Sequence, residues 1–141
     1  MKLLFWIFGL IAVAGTTDSP AVGTLRIMVE NVKESQGKIL LAVYADDRSF
    51  LSEVTYRSVH HQVSQAGVVT VEVPDLPYGN YAISLYHDEN NNGKIDTNFM
   101  KIPKEPYGFS NNVRGTFGPP KFRDARFAFV EAEQEIRIEI R

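Results

Sequence analysis

The densest run of metal-binding oxygens in the sequence is Asp88-Glu89-Asn90-Asn91-Asn92-Gly93-Lys94-Ile95-Asp96. Asp88, Asn90 and Asn92 occupy positions 1, 3 and 5 of a calcium-type loop. Gly93 stands at position 6, where the chain must turn sharply. Lys94 at position 7 would give only its backbone carbonyl, and Asp96 at position 9 would bind directly or through water. Ile95 at position 8 is expected to anchor the loop in the core. Calcium is a hard cation that takes six to eight oxygens, and alternate residues aim oxygens at one point. The bidentate Glu expected at position 12 is replaced by Phe99. Two of the three early ligands are amides, which leaves Glu89, Glu105 or Asp124 as further charged donors. Affinity follows charge count, so a weak site of roughly 10⁻⁴–10⁻³ M is expected. A second reading needs no metal. Asn and Asp bond to their own backbone in turns, and Asn-Gly is itself a turn signal.

Other reactive side chains are sparse. His60 and His61 are adjacent, so on a strand they point to opposite faces. His87 beside Asp88 raises the alternative of a small hydrolase or lyase using His87 with Asp88 or Asp96. Ser84 and Ser110 lack a nucleophile-elbow context. The chain has no Cys, which excludes thiol catalysis, thiolate zinc and disulfides. Tyr107, Phe109, Asn111, Asn112 and Arg114 form a second candidate, an aromatic-and-amide surface suited to a peptide or glycan ligand. The same aromatics would also serve to staple a loop onto the scaffold.

The elements that position these residues read as strands. Leu25/Ile27/Val29, Ile39/Leu41/Val43, Val69/Val71/Val73, Tyr81/Ile83/Leu85, Phe127/Phe129 and Ile136/Ile138/Ile140 all alternate with neighbours. A weaker strand is expected within Val54–Val63, and a short helix within Ser49–Tyr56. The prediction is all-β: an antiparallel Greek-key sandwich of about seven strands, immunoglobulin-like or transthyretin-like, with one long irregular loop. That loop is the stretch from Asp88 to Asp124. Its five aromatics (Phe99, Tyr107, Phe109, Phe117 and Phe122) predict that much of it packs down.

The chain opens with Met1-Lys2, a 12-residue apolar run from Leu3 to Ala14, and the small-x-small triplet Ala12-Val13-Ala14. This reads as a signal peptide over 1–14, followed by a flexible lead over 15–23 and one domain over 24–141. A helix of that length spans only about 18 Å, too short for a membrane. No transmembrane span is expected after cleavage, and the protein is placed outside the cell or in a periplasm. The net charge of −2 gives no suggestion of a nucleic-acid partner, which would need a basic face.

Pro77-Tyr78-Gly79-Asn80-Tyr81-Ala82-Ile83, the block His87 to Asn98, and Pro103-Lys104-Glu105-Pro106-Tyr107-Gly108-Phe109-Ser110-Asn111-Asn112 together resemble domain-of-unknown-function family 2141. The likeness continues through Gly118-Pro119-Pro120 and Phe122-Arg123-Asp124-Ala125, covering nearly all of the chain after residue 25. Lys101 departs from it, standing where a small residue is expected. The resemblance implies a small exported bacterial β-sandwich and supplies no catalytic residues. Locally, the Gly-x-Tyr strand running into an Asp-x-Asn-x-Asn-Gly loop is similar to calcium-holding modules of bacterial surface adhesins. The expectation is a non-enzymatic binding or accessory module, with an envelope protein, a peptide or a glycan as partner and calcium as a weakly held ion.

Overall fold

The computed structural model describes residues 21–141, so the signal segment and most of the lead lie outside the described residues. In chain order the elements are β1 (Val22–Val32), β2 (Lys38–Tyr44), β3 (Arg57–Gln62), β4 (Gly67–Pro77), β5 (Gly79–Asp88), β6 (Tyr107–Phe109), a 3₁₀ turn (Ser110–Asn112), α1 (Phe122–Ala125), β7 (Phe127–Phe129) and β8 (Glu133–Glu139). One sheet has the order β4-β1-β8. The other has the order β3-β2-β5-β6, with β7 also pairing β5.

The two sheets face each other across an aliphatic core. Leu25, Ile27 and Val29 of β1 meet Ile39, Leu41 and Val43 of β2, Ile83 and Leu85 of β5, and Phe129 of β7. Period-two alternation produces this layer because successive side chains on a strand point to opposite faces. A second, smaller cluster lies on the outer face of the five-stranded sheet. There Tyr44 and Ala82 are covered by Phe122 and Ala125 of α1, with Phe50 packed alongside.

The sandwich expectation holds, with differences of detail. Among the described residues there are eight strands, because β6 was hidden in the long loop. The pairing is not all antiparallel: β8 runs parallel to β1, from Thr24 opposite Glu133 to Glu30 opposite Glu139. Alternation sets which side chains face the core, but it does not set a strand's neighbour or direction. Val22 and Gly23 belong to β1 rather than to the lead. The weak strand is trimmed to Arg57–Gln62. Ser49–Tyr56 forms turns instead of a helix, and Ser49 N–H donates to Asp46 Oδ1 at 2.9 Å.

Candidate functional site

The loop starts where β5 ends. Asp88 pairs with Lys38 at the start of β2, and the preceding residue Gly37, in the β1–β2 connection, packs on the Asp88 backbone. Gly37 has φ +78, and a Cβ there would run into the Asp88 carbonyl oxygen, so the close approach requires glycine. Asp88 is buried, and its carboxylate accepts N–H bonds from Asn92 at 3.1 Å and Gly93 at 2.8 Å. Gly93 at φ +79 makes the turn that delivers those two donors.

Asn90 Oδ1 accepts from Asn92 N–H at 3.2 Å, and Asn92 Oδ1 accepts from Lys94 N–H at 3.1 Å. The amide nitrogens of Asn90 and Asn92 both donate to the Asp96 carboxylate, at 2.6 and 2.9 Å. These bonds, from Asn92 first and Asn90 next, hold the Asp96 carboxyl below its ordinary range. Asp88, Asn90, Asn92 and Asp96 are thus brought together in one turn. Lys94 contributes its N–H to the turn.

Glu105 organises the return of the loop. It is only 6% exposed, and its two oxygens accept the N–H groups of Glu89 at 3.1 Å and Asp96 at 2.9 Å. Named above as a spare metal donor, Glu105 instead ties two distant backbone segments with both oxygens. Lys104 N–H reaches the Asp96 carbonyl at 2.8 Å, and a bridge joins Thr97 to Pro103. Between them Asn98 closes a turn, with its Oδ1 accepting from Met100 and Ile102 N–H. Lys101 sits in this turn at φ +61, a left-handed conformation that a glycine adopts without strain. Phe99, at the twelfth position, is 96% exposed.

The donor set bears on calcium in a specific way. Two carboxylates and two amide oxygens lie in the turn, but the amides now aim their nitrogens at Asp96. An ion at that point would need both amides turned over about χ2, giving up the two bonds they donate to Asp96 and the two their Oδ1 atoms accept, for two C=O···cation contacts. No group of three or more His, Cys, Asp and Glu side chains suited to a metal occurs among the described residues. The amide-rich composition therefore fits only a weakly held hard cation.

His87 lies apart from this chemistry. It is fully buried, its Nε2 is 2.7 Å from the Gln36 carbonyl, and its Nδ1 has no hydrogen-bond partner. Its nearest carboxylate is Glu89 Oε1 at 3.9 Å, and neither Asp88 nor Asp96 hydrogen-bonds to it.

The second candidate surface divides. Tyr107, Phe109 and Arg114 line an open groove of about 650 Å³ on the outer face of the five-stranded sheet. Arg114 lies over the Tyr107 ring at 5.3 Å and donates weakly to the carbonyls of Tyr107 and Glu139. Asn111 and Asn112 are absent from the groove lining because their amides hold the scaffold. Asn111 Nδ2 donates to the carbonyls of Asp124 and Arg126, and Asn112 Oδ1 accepts from Glu139 N–H. Ser110, with no role assigned from sequence, accepts from Ile83 N–H at 2.9 Å and donates to Ala125 O at 2.6 Å.

The groove is also lined by Ile95, Met100, Ile102 and Pro103, all from the Asp88–Glu105 loop. Ile95 is therefore a groove residue, 37% exposed, and not the core anchor expected. Tyr86 of β5 also lines the groove. Burial, and then the charges of Asp88, Glu105 and Asp96, push its phenol up to about 12. Three of the five loop aromatics pack down, while Phe99 and Phe117 stay in solvent.

No curated protein and no solved structure matches this chain. Residues 27–137, which span both sheets, the Asp/Asn turn and the groove, match the family model described as an uncharacterized protein conserved in bacteria (DUF2141), and the chain belongs to that family.

Proposed function

We propose that this protein is an exported, non-enzymatic binding module whose groove takes a peptide or glycan, and whose Asp88–Asp96 turn binds calcium weakly. The observation that carries this reading is one of continuity. The groove wall formed by Ile95, Met100, Ile102 and Pro103 belongs to the same segment that Asp88, Asp96 and Glu105 hold in place. An ion shared by Asp88 and Asp96, with the amide oxygens of Asn90 and Asn92 and the Lys94 carbonyl, would stiffen that wall. The half-buried Tyr107 ring, with the exposed Arg114 guanidinium over it, suits contact with a sugar ring or a planar peptide group.

Calorimetric titration of the protein with calcium, paired with thermal unfolding, tests the ion. At tenfold excess over Kd, binding to the native state alone should add about 1.4 kcal/mol of stability. Asp96→Asn should weaken both signals. Absence of heat and of stabilisation in millimolar calcium would refute the metal. A glycan and peptide array probed with wild type and Tyr107→Ala tests the groove separately. Equal capture by both proteins would place the ligand elsewhere.

A further inference from the structure

The two turns that flank the groove end in side chains that the binding reading does not use. Phe99 is 96% exposed and Phe117 is fully exposed, with Met100 at 65% and Ile102 at 53% beside them. Their sequence neighbours Met100 and Gly118 line the same groove, which puts both phenylalanines next to it in the chain. Each turn is braced. Asn98 Oδ1 holds Met100 and Ile102 N–H, while Gly118 at φ +124 closes tightly against Gly115. Phe99 is thus presented by a hydrogen-bonded turn and Phe117 by a close-packed one.

Charge is distributed unevenly around them. Residues 97–123 contain the cations Lys101, Lys104, Arg114, Lys121 and Arg123 and a single carboxylate, Glu105, in a chain whose net charge is −2. That carboxylate is buried and bound to two backbone N–H groups. Lys101, Lys104 and Lys121 are exposed, and none makes an ion pair among the described residues. Bordered by Asp96 and Asp124, the segment is cationic and aromatic-tipped in an otherwise acidic chain.

We propose that this segment docks on an anionic phospholipid surface, with Phe99 and Phe117 entering the interfacial layer and Lys101, Lys104 and Lys121 facing the lipid phosphates. Separate, convex aromatic tips suit a fluid interface that moulds itself around them, whereas a folded acidic partner would need a matching pocket for each ring. Interfacial cations add attraction that dies away within a Debye length, so docking is salt-sensitive. The proposal depends on neither calcium nor a groove ligand.

The absence of Cys allows a single environment-sensitive dye to be placed at will. The full chain is labelled at Thr116→Cys, beside Phe117, or at Val68→Cys, on the three-stranded sheet. Each is mixed with vesicles rich in phosphatidylglycerol, or with phosphatidylcholine vesicles. The dye at position 116 should brighten and shift to the blue with the anionic vesicles only, and raised salt should reverse it. The dye at position 68 should not respond, which also controls for binding through the apolar run 3–14. Phe99→Ser with Phe117→Ser should lower partition at least about tenfold, and Lys101→Gln about fivefold. Equal responses at both dye positions, or partition unchanged by the double Phe substitution, would overturn the proposal. So would a response at position 116 to poly-glutamate but not to vesicles, which would indicate an acidic protein partner.

Discussion

Replacing Glu105 tests the internal logic of the loop directly. Its carboxylate is buried and accepts two backbone N–H groups, from residues 16 and 9 positions earlier in the chain. A hydrogen bond to a charged acceptor contributes about 1.5–3 kcal/mol, so two of them set an upper bound of about 3–6 kcal/mol. Both donors are only part-buried and can recover water once the side chain is gone, which lowers the expectation for Glu105→Ala to about 2–4 kcal/mol. Glu105→Gln keeps one acceptor oxygen and places an NH₂ group against the other donor, so it should cost about half as much. Nearby Asp88 and Asp96 work in the opposite sense, because removing a like charge relieves repulsion. Comparing both variants at low and high salt separates that contribution. Two readouts are needed. Urea unfolding gives the global loss, and amide exchange at Glu89 and Asp96 shows whether the loop opens by itself. A Glu105→Ala protein within about 0.5 kcal/mol of wild type, with Glu89 and Asp96 amides still protected, would refute this account of the loop.

Ser110→Ala should cost about 1–3 kcal/mol in urea unfolding, because it leaves the buried Ile83 N–H and Ala125 carbonyl without their shared hydroxyl. Gly37→Ala should cost at least about 1–3 kcal/mol, from its left-handed φ and the added clash on the Asp88 main chain, and should shift Asp88 and Glu89 amide resonances. Tyr81, pushed up to about 12 by burial and then by Tyr56, donates its hydroxyl to the Pro77 carbonyl at 2.8 Å. Its folded value exceeds the unfolded 10.0, so its contribution is complete below pH 10 and is lost as pH rises toward 12. Alkaline unfolding curves of Tyr81→Phe should lack that part of the loss; a curve parallel to wild type would disprove the assignment.

The scaffold was legible because burial follows alternation. Leu25/Ile27/Val29 and Ile39/Leu41/Val43 are buried residue by residue as a period of two requires. The Asp88–Asp96 turn was legible as a turn because its bonds are local, spanning two to six residues. What escaped notice is non-local. Glu105 binds donors far back in the chain, so its spacing carries no signal. β6 is three residues long, too short to display a period, and its register against Ser84–Tyr86 exists only in the folded sheet. Ile95 was misplaced because apolar character does not distinguish a core from a groove. The main-chain bonds of Asn111 and Asn112 are invisible in sequence for a related reason. An exposed amide looks alike in sequence whether its partner is a ligand or, as here, the main chain of α1's C-terminal end and β8.

The parallel pairing of β8 with β1 has a kinetic consequence. β1 is the middle strand of its sheet, and one of its neighbours lies more than a hundred residues later, with Thr24 opposite Glu133. That layer stays half-built until residue 139 is available, however early the β1–β4 pair forms. Contacts of such long sequence separation slow folding because the chain must close a large loop before they reward it. For a polypeptide threaded unfolded through a secretion channel, as proposed here, the delay is useful. A chain exported in that way would lack the closing strand of this sheet until residue 139 had followed.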